Sequence, residues 1–194
     1  MTIDAAHPLI LTSRTEVLDG VLRMVAVLGM RGIEMRMGSG QKGFFEVCCI
    51  RGGSTISIGL ATHNVDLVVK LGYGRESIWW ASCGLVRLGG GTTGGYFDHM
   101  IREVETPTFT TGDVLGLLVD CSGPPTLVFF KNGTQVRAIV FGLEMFGKVF
   151  FPCFHLFLDS EIEICQRPDL PADTVWTNWT NALCNDTTYN THYI

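Results

Sequence analysis

The sequence predicts an all-β protein, a sandwich of two antiparallel sheets packed face to face. Three observations carry that expectation: glycine is abundant, at 23 of 194 residues; the segments between glycines are short, β-branched and aromatic; and almost no apolar run keeps helical spacing. With 46% hydrophobic and 17% charged positions the chain can bury a core and is too apolar to be intrinsically disordered. A single domain of this size hides roughly 70% of its unfolded surface, so it needs neither disulfides nor a structural metal to fold.

Gly43 to Arg51 (GFFEVCCIR) places Phe45, Val47 and Cys49 on one face. Thr55 to Ala61 (TISIGLA) places Ile56, Ile58 and Leu60 on one face and small residues opposite, so both stretches read as half-buried strands. Tyr96 to Thr106 (YFDHMIREVET) is the one segment suited to a turn or two of helix, with Met100, Ile101 and Val104 on one side, inside a decorated loop. Asp113 to Asp120 (DVLGLLVD) is nearly all apolar, as in a strand covered on both sides. The Ser-Gly-Pro-Pro turn at 122–125 joins it to Thr126 to Lys131 as a hairpin. Asn132-Gly133 then predicts a two-residue type I′ turn, which needs positive φ at both central positions, into Val136 to Phe141. Val149 to Leu158 and Glu161 to Cys165 supply further strands. No repeat of 20 to 50 residues is visible, against a propeller or solenoid. The domain is placed at 1–166. The stretch 167–194 is a C-terminal tail whose Trp176, Trp179 and Tyr189 leave two readings open, an unordered end or a segment packed back on the domain.

Fourteen Lys and Arg against nineteen Asp and Glu give a net charge of −5, and no basic cluster with interleaved aromatics appears, which argues against nucleic acid as a partner. From Thr134 onward the basic residues are Arg137, Lys148 and Arg167 against seven acidic ones. The first twenty residues lack a signal-peptide pattern, and no window approaches the ~18 uninterrupted apolar residues of a membrane helix, so a soluble protein with no membrane partner is expected. Seven cysteines, an odd number without a secretory signal, favour reduced thiols in the cytoplasm or nucleus. The sequons at Asn132, Asn178 and Asn185 are then chance matches.

Chemistry-bearing motifs are sparse. Gly89 to Gly95 (GGGTTGG) lacks the Lys-Ser/Thr pair and helix start of a phosphate cradle and reads as a loop. Cys153 and His155 share a strand face at a spacing too wide for reliable proton transfer, so Cys153 is expected to be buried. Cys48 and Cys49 point to opposite faces and make no metal pincer. The five histidines fall in no metal or triad spacing, and Glu161 and Glu163 read as a solvated face near a sheet edge. No catalytic residue, metal, cofactor or small-molecule substrate is therefore expected. In Trp79-Trp80 one ring should face the core and the other outward, where it could anchor a partner or be covered by a loop or the tail.

Several strings occur in a telling order: GFFEVCCIRGGSTISIGLAT at 43–62, LGYGRESI at 71–78, FTTGDVLGLLVD at 109–120, LVFFKNGTQV at 127–136 and VFFPCFHL at 149–156. Together they resemble a SPRY domain, over most of the chain from the Leu9 to Gly29 region to Cys165. Trp79-Trp80 stands where many members have Gly-Tyr, and extra residues lie between Gly94 and Pro107. The resemblance implies a bent β-sandwich of concanavalin-like jelly-roll type that acts as a scaffold or adaptor, without catalysis, by binding a peptide or surface of another protein through loops at one end.

In peptide-binding relatives the pocket comes from an early loop, the loop after the Ile-Gly-Leu-Ala strand and the loop after the Phe-Pro strand. Those positions fall here near Met30 and Arg31, at His63 and Asn64, and at Phe157, Leu158 and Asp159. Tyr73, Arg75 and Trp80 form a second candidate patch, since Tyr, Trp and Arg are common hot-spot residues. Two other readings stay open: a constitutive structural subunit packing an apolar face into a larger assembly, and a sandwich that binds carbohydrate or another ligand.

Overall fold

In the computed structural model, the described residues are 9–12, 25–28, 32–52, 56–62, 77–89, 102–156 and 159–165. They form β1 (Leu9–Thr12), β2 (Val25–Leu28), β3 (Ile33–Glu34), β4 (Lys42–Arg51), β5 (Ile56–Ala61), β6 (Ser77–Ala81), β7 (Leu85–Gly89) and β8 (Arg102–Glu105). Next come β9 (Val114–Asp120), β10 (Thr126–Lys131), β11 (Thr134–Val140), a 3-10 turn (Leu143–Met145), β12 (Val149–Leu156) and β13 (Glu161–Cys165). One sheet runs β1-β13-β4-β9-β10-β11 and the other β2-β12-β5-β6-β7-β8, with β3 also paired to β12; the pairings are antiparallel. The expected two-sheet all-β architecture is the one observed.

Alternation builds the core. Phe45, Val47 and Cys49 of β4, Leu115, Leu117 and Val119 of β9, and Leu127 and Phe129 of β10 are buried from the first sheet. Ile56, Ile58 and Leu60 of β5, with Ile78, Trp80 and Phe154, are buried from the second. Edge-to-face ring pairs lock the sheets together, Phe45 with Phe154 at 5.4 Å and Trp80 with Phe129 at 5.6 Å between centroids. Each fully buried aliphatic or aromatic side chain contributes about 1.5–3 kcal/mol, so this interior is the main source of stability.

The turn chemistry is as expected: Asn132 and Gly133 have φ of 52° and 75°, and the chain reverses between β10 and β11. Pro152, which has no N–H to give, sits where β12 passes from β3 to β2 as its partner.

Three expectations are corrected. Residues 102–105 of the stretch expected to turn helically form strand β8, because pairing with β7 sets Val104 opposite Val86 and buries both; residues 96–101 lie outside the described set. β5 is buried on both faces rather than one: its small residues Ser57, Gly59 and Ala61 make room for larger neighbours, Gly59 lying between Trp79 of β6 and Cys153 of β12. β9 is buried throughout on its inner face, whereas on the outer face only Gly116 is buried and Val114, Leu118 and Asp120 stay half-buried.

Candidate functional site

Strand polarity gives the sandwich two distinct ends. At the Lys42 end, β4, β10 and β12 begin, while β5, β7, β9, β11 and β13 finish. At the Arg51 end the directions reverse. The connectors holding Arg31, His63, Asn64, Tyr73 and Arg75 follow β2 or run from β5 to β6, so both are anchored at the Lys42 end; these five residues lie outside the described set.

The loop after β12 leaves from the opposite end, because Leu156 pairs with Ile56 whereas Phe151 pairs with Ala61. Five residue steps of strand separate these anchors, about 17 Å. Phe157 and Leu158 are outside the described residues; Asp159 is exposed and left-handed, with φ 54°. Of the nine residues expected to bind, seven lie outside the described set, and the strand ends that flank their connectors fall at both ends of the sandwich. The reason is the antiparallel β5–β12 register, which no local motif discloses.

Trp80 leaves the candidate patch altogether. Its ring is 0% exposed and meets Phe109 and Phe129 edge to face, so it is a core side chain that no partner can reach. Trp79 does point to the other face, as adjacent strand residues must, but is only 4% exposed.

The Lys42 end carries a feature the sequence did not flag. Among the described residues, Met37, Val140, Leu143 and Val149 are large apolar side chains left exposed, and all four sit at this end. Backbone hydrogen bonds lace their loops together: Met35 N–H to Lys148 O (2.9 Å), Gly147 N–H to Met35 O (3.0 Å), Gly38 N–H to Gly123 O (3.2 Å) and Phe141 N–H to Pro125 O (2.9 Å). A Cβ on Gly32 would meet Val149 and the Phe151 ring, so the strand entry is closely packed as well.

The Arg51 end is polar and tied down. Asp113 accepts from Thr110 N–H (2.8 Å) and the Asn132 side-chain amide (2.8 Å), and pairs with Lys131 at 3.1 Å. Burial pulls the Asp113 carboxyl upward, but bonds from Asn132, Thr110 and Lys131 outweigh it and hold the group below the usual carboxylate range. Asn132 also accepts Val114 N–H at 2.8 Å, so the β8–β9 loop and the Asn-Gly turn are joined into one rigid corner.

The Cys153 and His155 side chains share the outer face of the second sheet, and both are buried. Desolvation pushes the Cys153 thiol up and pulls His155 down to about 4, so both are neutral at pH 7. Among the described residues neither ring nitrogen of His155 has a hydrogen-bond partner, and its ring lies 6.4 Å from that of Trp79. Burial likewise pushes Cys49 up to about 12. Such thiols are poor nucleophiles. Among the described residues no group of three or more His, Cys, Asp or Glu side chains is placed to hold a metal ion.

His155 makes a pH prediction. Its folded pKa lies below the ordinary 6.5, so the unfolded chain binds more protons between pH 6.5 and about 4. Stability is complete above that window and falls as pH drops through it, by about 3 kcal/mol at its lower limit. Urea unfolding across pH 4.5–7 should show this slope in the wild type and lose it in His155→Phe; equal slopes would exclude His155 as the cause.

The SPRY domain family model matches residues 42–166. Among solved structures, the SPRY domain of human HERC1 superposes with a TM-score of 0.55 at 17% identity, covering 80% of this chain and 87% of that one. A second human SPRY domain gives 0.54 at 16% identity, covering 78% and 94%. The TRIM65 PSpry domain gives 0.53 at 13% identity, covering 73% and 71%. No curated protein matches the chain. The ordered strand motifs, the two-sheet architecture and the family match over 42–166 agree: the chain belongs to the SPRY domain family.

Proposed function

We propose that this domain is a non-enzymatic recognition module that takes a peptide segment or surface of another protein at its Lys42 end. SPRY domains are generally protein–protein interaction modules, and a rigid sandwich presenting variable loops suits that task. One observation supports the choice of end: β2 and β5 finish, and β6 begins, at the end where Met37, Leu143 and Val149 are exposed, and the connectors bearing Arg31, His63, Asn64, Tyr73 and Arg75 continue from those strands. Apolar side chains would supply desolvation energy and the Arg, His and Tyr side chains orientation. The loop after β12 leaves from the Arg51 end, where Asp159 is exposed.

The test is partner capture by three forms of the full chain: wild type, Arg31→Ala/His63→Ala/Tyr73→Ala, and Leu158→Ala/Asp159→Ala, each first shown to melt normally. A defined partner should be lost from the first variant and kept by the second. Loss from the second alone would move recognition to the Arg51 end. Retention by both would favour the second reading, a constitutive subunit whose exposed apolar end packs into an assembly.

A further inference from the structure

β11 is an open edge of the first sheet. Among the described residues no strand lies beyond it, and at seven residues it is longer than β1, β2 or β8, the strands of four residues that end the sheets elsewhere. The β10–β11 register shifts between Phe129 and Phe130, so the regular part of the edge begins at Arg137. Phe141 N–H donates to Pro125 O at 2.9 Å. By alternation Ile139 and Arg137, opposite Leu127 and Phe129, direct their N–H and C=O groups to β10, whereas Ala138 and Val140 direct theirs outward. Both outward residues are exposed, Val140 by 60%. A row of open backbone donors and acceptors of this kind is a template for one more strand.

The side chains say what that strand would carry. Outward positions of an antiparallel sheet with one solvated face are ordinarily polar. Here Phe44, Leu118, Val128 and Ala138 lie side by side across β4, β9, β10 and β11 on the outer face, the first three half-buried. The rings of Phe44 and Phe130 meet edge to face beside this row, 6.1 Å between centroids. The row stops at the open edge with Ala138, its smallest member. On the other face, Arg137 is exposed and is the only charged residue of β11, and the ion pairs among the described residues do not include it. A new strand therefore gains by setting an apolar side chain beside Ala138 and an acid beside Arg137. A second copy of β11 cannot supply that acid, since the strand holds no Asp or Glu.

We propose that β11 accepts an extended segment of another protein as an added strand, with alternate side chains apolar against Ala138 and Val140 and an Asp or Glu opposite Arg137. Main-chain hydrogen bonds to Ala138 and Val140 supply affinity, and the side chains supply selectivity. The edge runs along the flank of the sandwich, so its use does not depend on recognition at the Lys42 end.

The probe is a fluorescein-labelled peptide, Thr-Val-Thr-Val-Glu-Val-Thr, titrated with the full chain and read by fluorescence anisotropy. The wild type should bind it, and should bind the same peptide with Lys in place of Glu several-fold more weakly. Arg137→Glu, a change at an exposed position, should reverse that preference. Ala138→Pro removes the outward N–H and sets a ring against the incoming strand while the bonds to β10 remain, so a protein that melts normally should lose binding. If Ala138→Pro does not melt normally, the charge reversal still decides. No binding of the Glu peptide by the wild type, or the same preference in wild type and Arg137→Glu, would overturn the proposal. Binding lost from Arg31→Ala/His63→Ala/Tyr73→Ala but kept by Ala138→Pro would put the peptide at the Lys42 end and overturn it as well. Self-association of the wild type in sedimentation, broken by Ala138→Pro, would give the edge to a second copy instead.

Discussion

Gly59→Ala should cost about 3 kcal/mol or more and lower the melting temperature by about 10 °C. Gly59 lies mid-strand in β5, with Trp79 of β6 on one side and Cys153 of β12 on the other. A Cβ there would fall 1.8 Å from Ile78 O, 2.9 Å from Ile78 C and 3.0 Å from Trp79 Cα. These are backbone atoms, so no side chain can swing away to make room. β5 and β6 would have to separate along their register from Ser57–Ala81 to Ala61–Ser77, moving both tryptophans of β6. Gly123→Ala is the control: a Cβ there meets nothing within 4 Å, so its melt should match the wild type to within a few tenths of a kcal/mol. Near-parental stability of Gly59→Ala in thermal and urea melts would mean that β5 and β6 are not held this closely.

That glycine shows where sequence reasoning stops. The TISIGLA alternation identifies a strand, yet the need for glycine at 59 arises from a β6 backbone about twenty residues away. The Asn132-Gly133 turn was legible because its chemistry is local: two consecutive positive φ values select those residue types whatever surrounds them. Residues 102–105 were misjudged because the deciding partner of Val104 is Val86, across a stretch that carries no pairing signal of its own. Seven of the nine candidate site residues lie outside the described set, and which end of the sandwich the strands flanking a connector reach is set by the β5–β12 register between segments some ninety residues apart. The exposed Met37, Leu143 and Val149 are indistinguishable from core residues by type. The match of Phe45, Val47 and Cys49 to the interior survived because strand alternation alone determines it.

Trp80 is where these two kinds of information meet, and its variants separate a core role from a binding one. Adjacent strand positions put Trp79 and Trp80 on opposite faces, as the sequence implies, but the ring that seemed free to meet a partner is the one wedged between Phe109 and Phe129. Trp80→Ala should therefore cost about 4 kcal/mol, through lost burial and the cavity left between the sheets. Trp80→Phe should cost far less. It keeps an aromatic ring for edge-to-face contact and removes an indole N–H that is buried without a hydrogen-bond partner among the described residues. Relief of that donor, about 1–3 kcal/mol, offsets much of the smaller ring's packing loss and leaves a net change within about 1 kcal/mol. Urea unfolding of the two variants measures the difference. Partner capture by Trp80→Phe then decides the role: unchanged capture fits a ring inside the sandwich. Capture lost from a normally melting Trp80→Phe protein would return this tryptophan to the recognition surface, because a core aromatic replaced by a smaller aromatic leaves the outer loops in place.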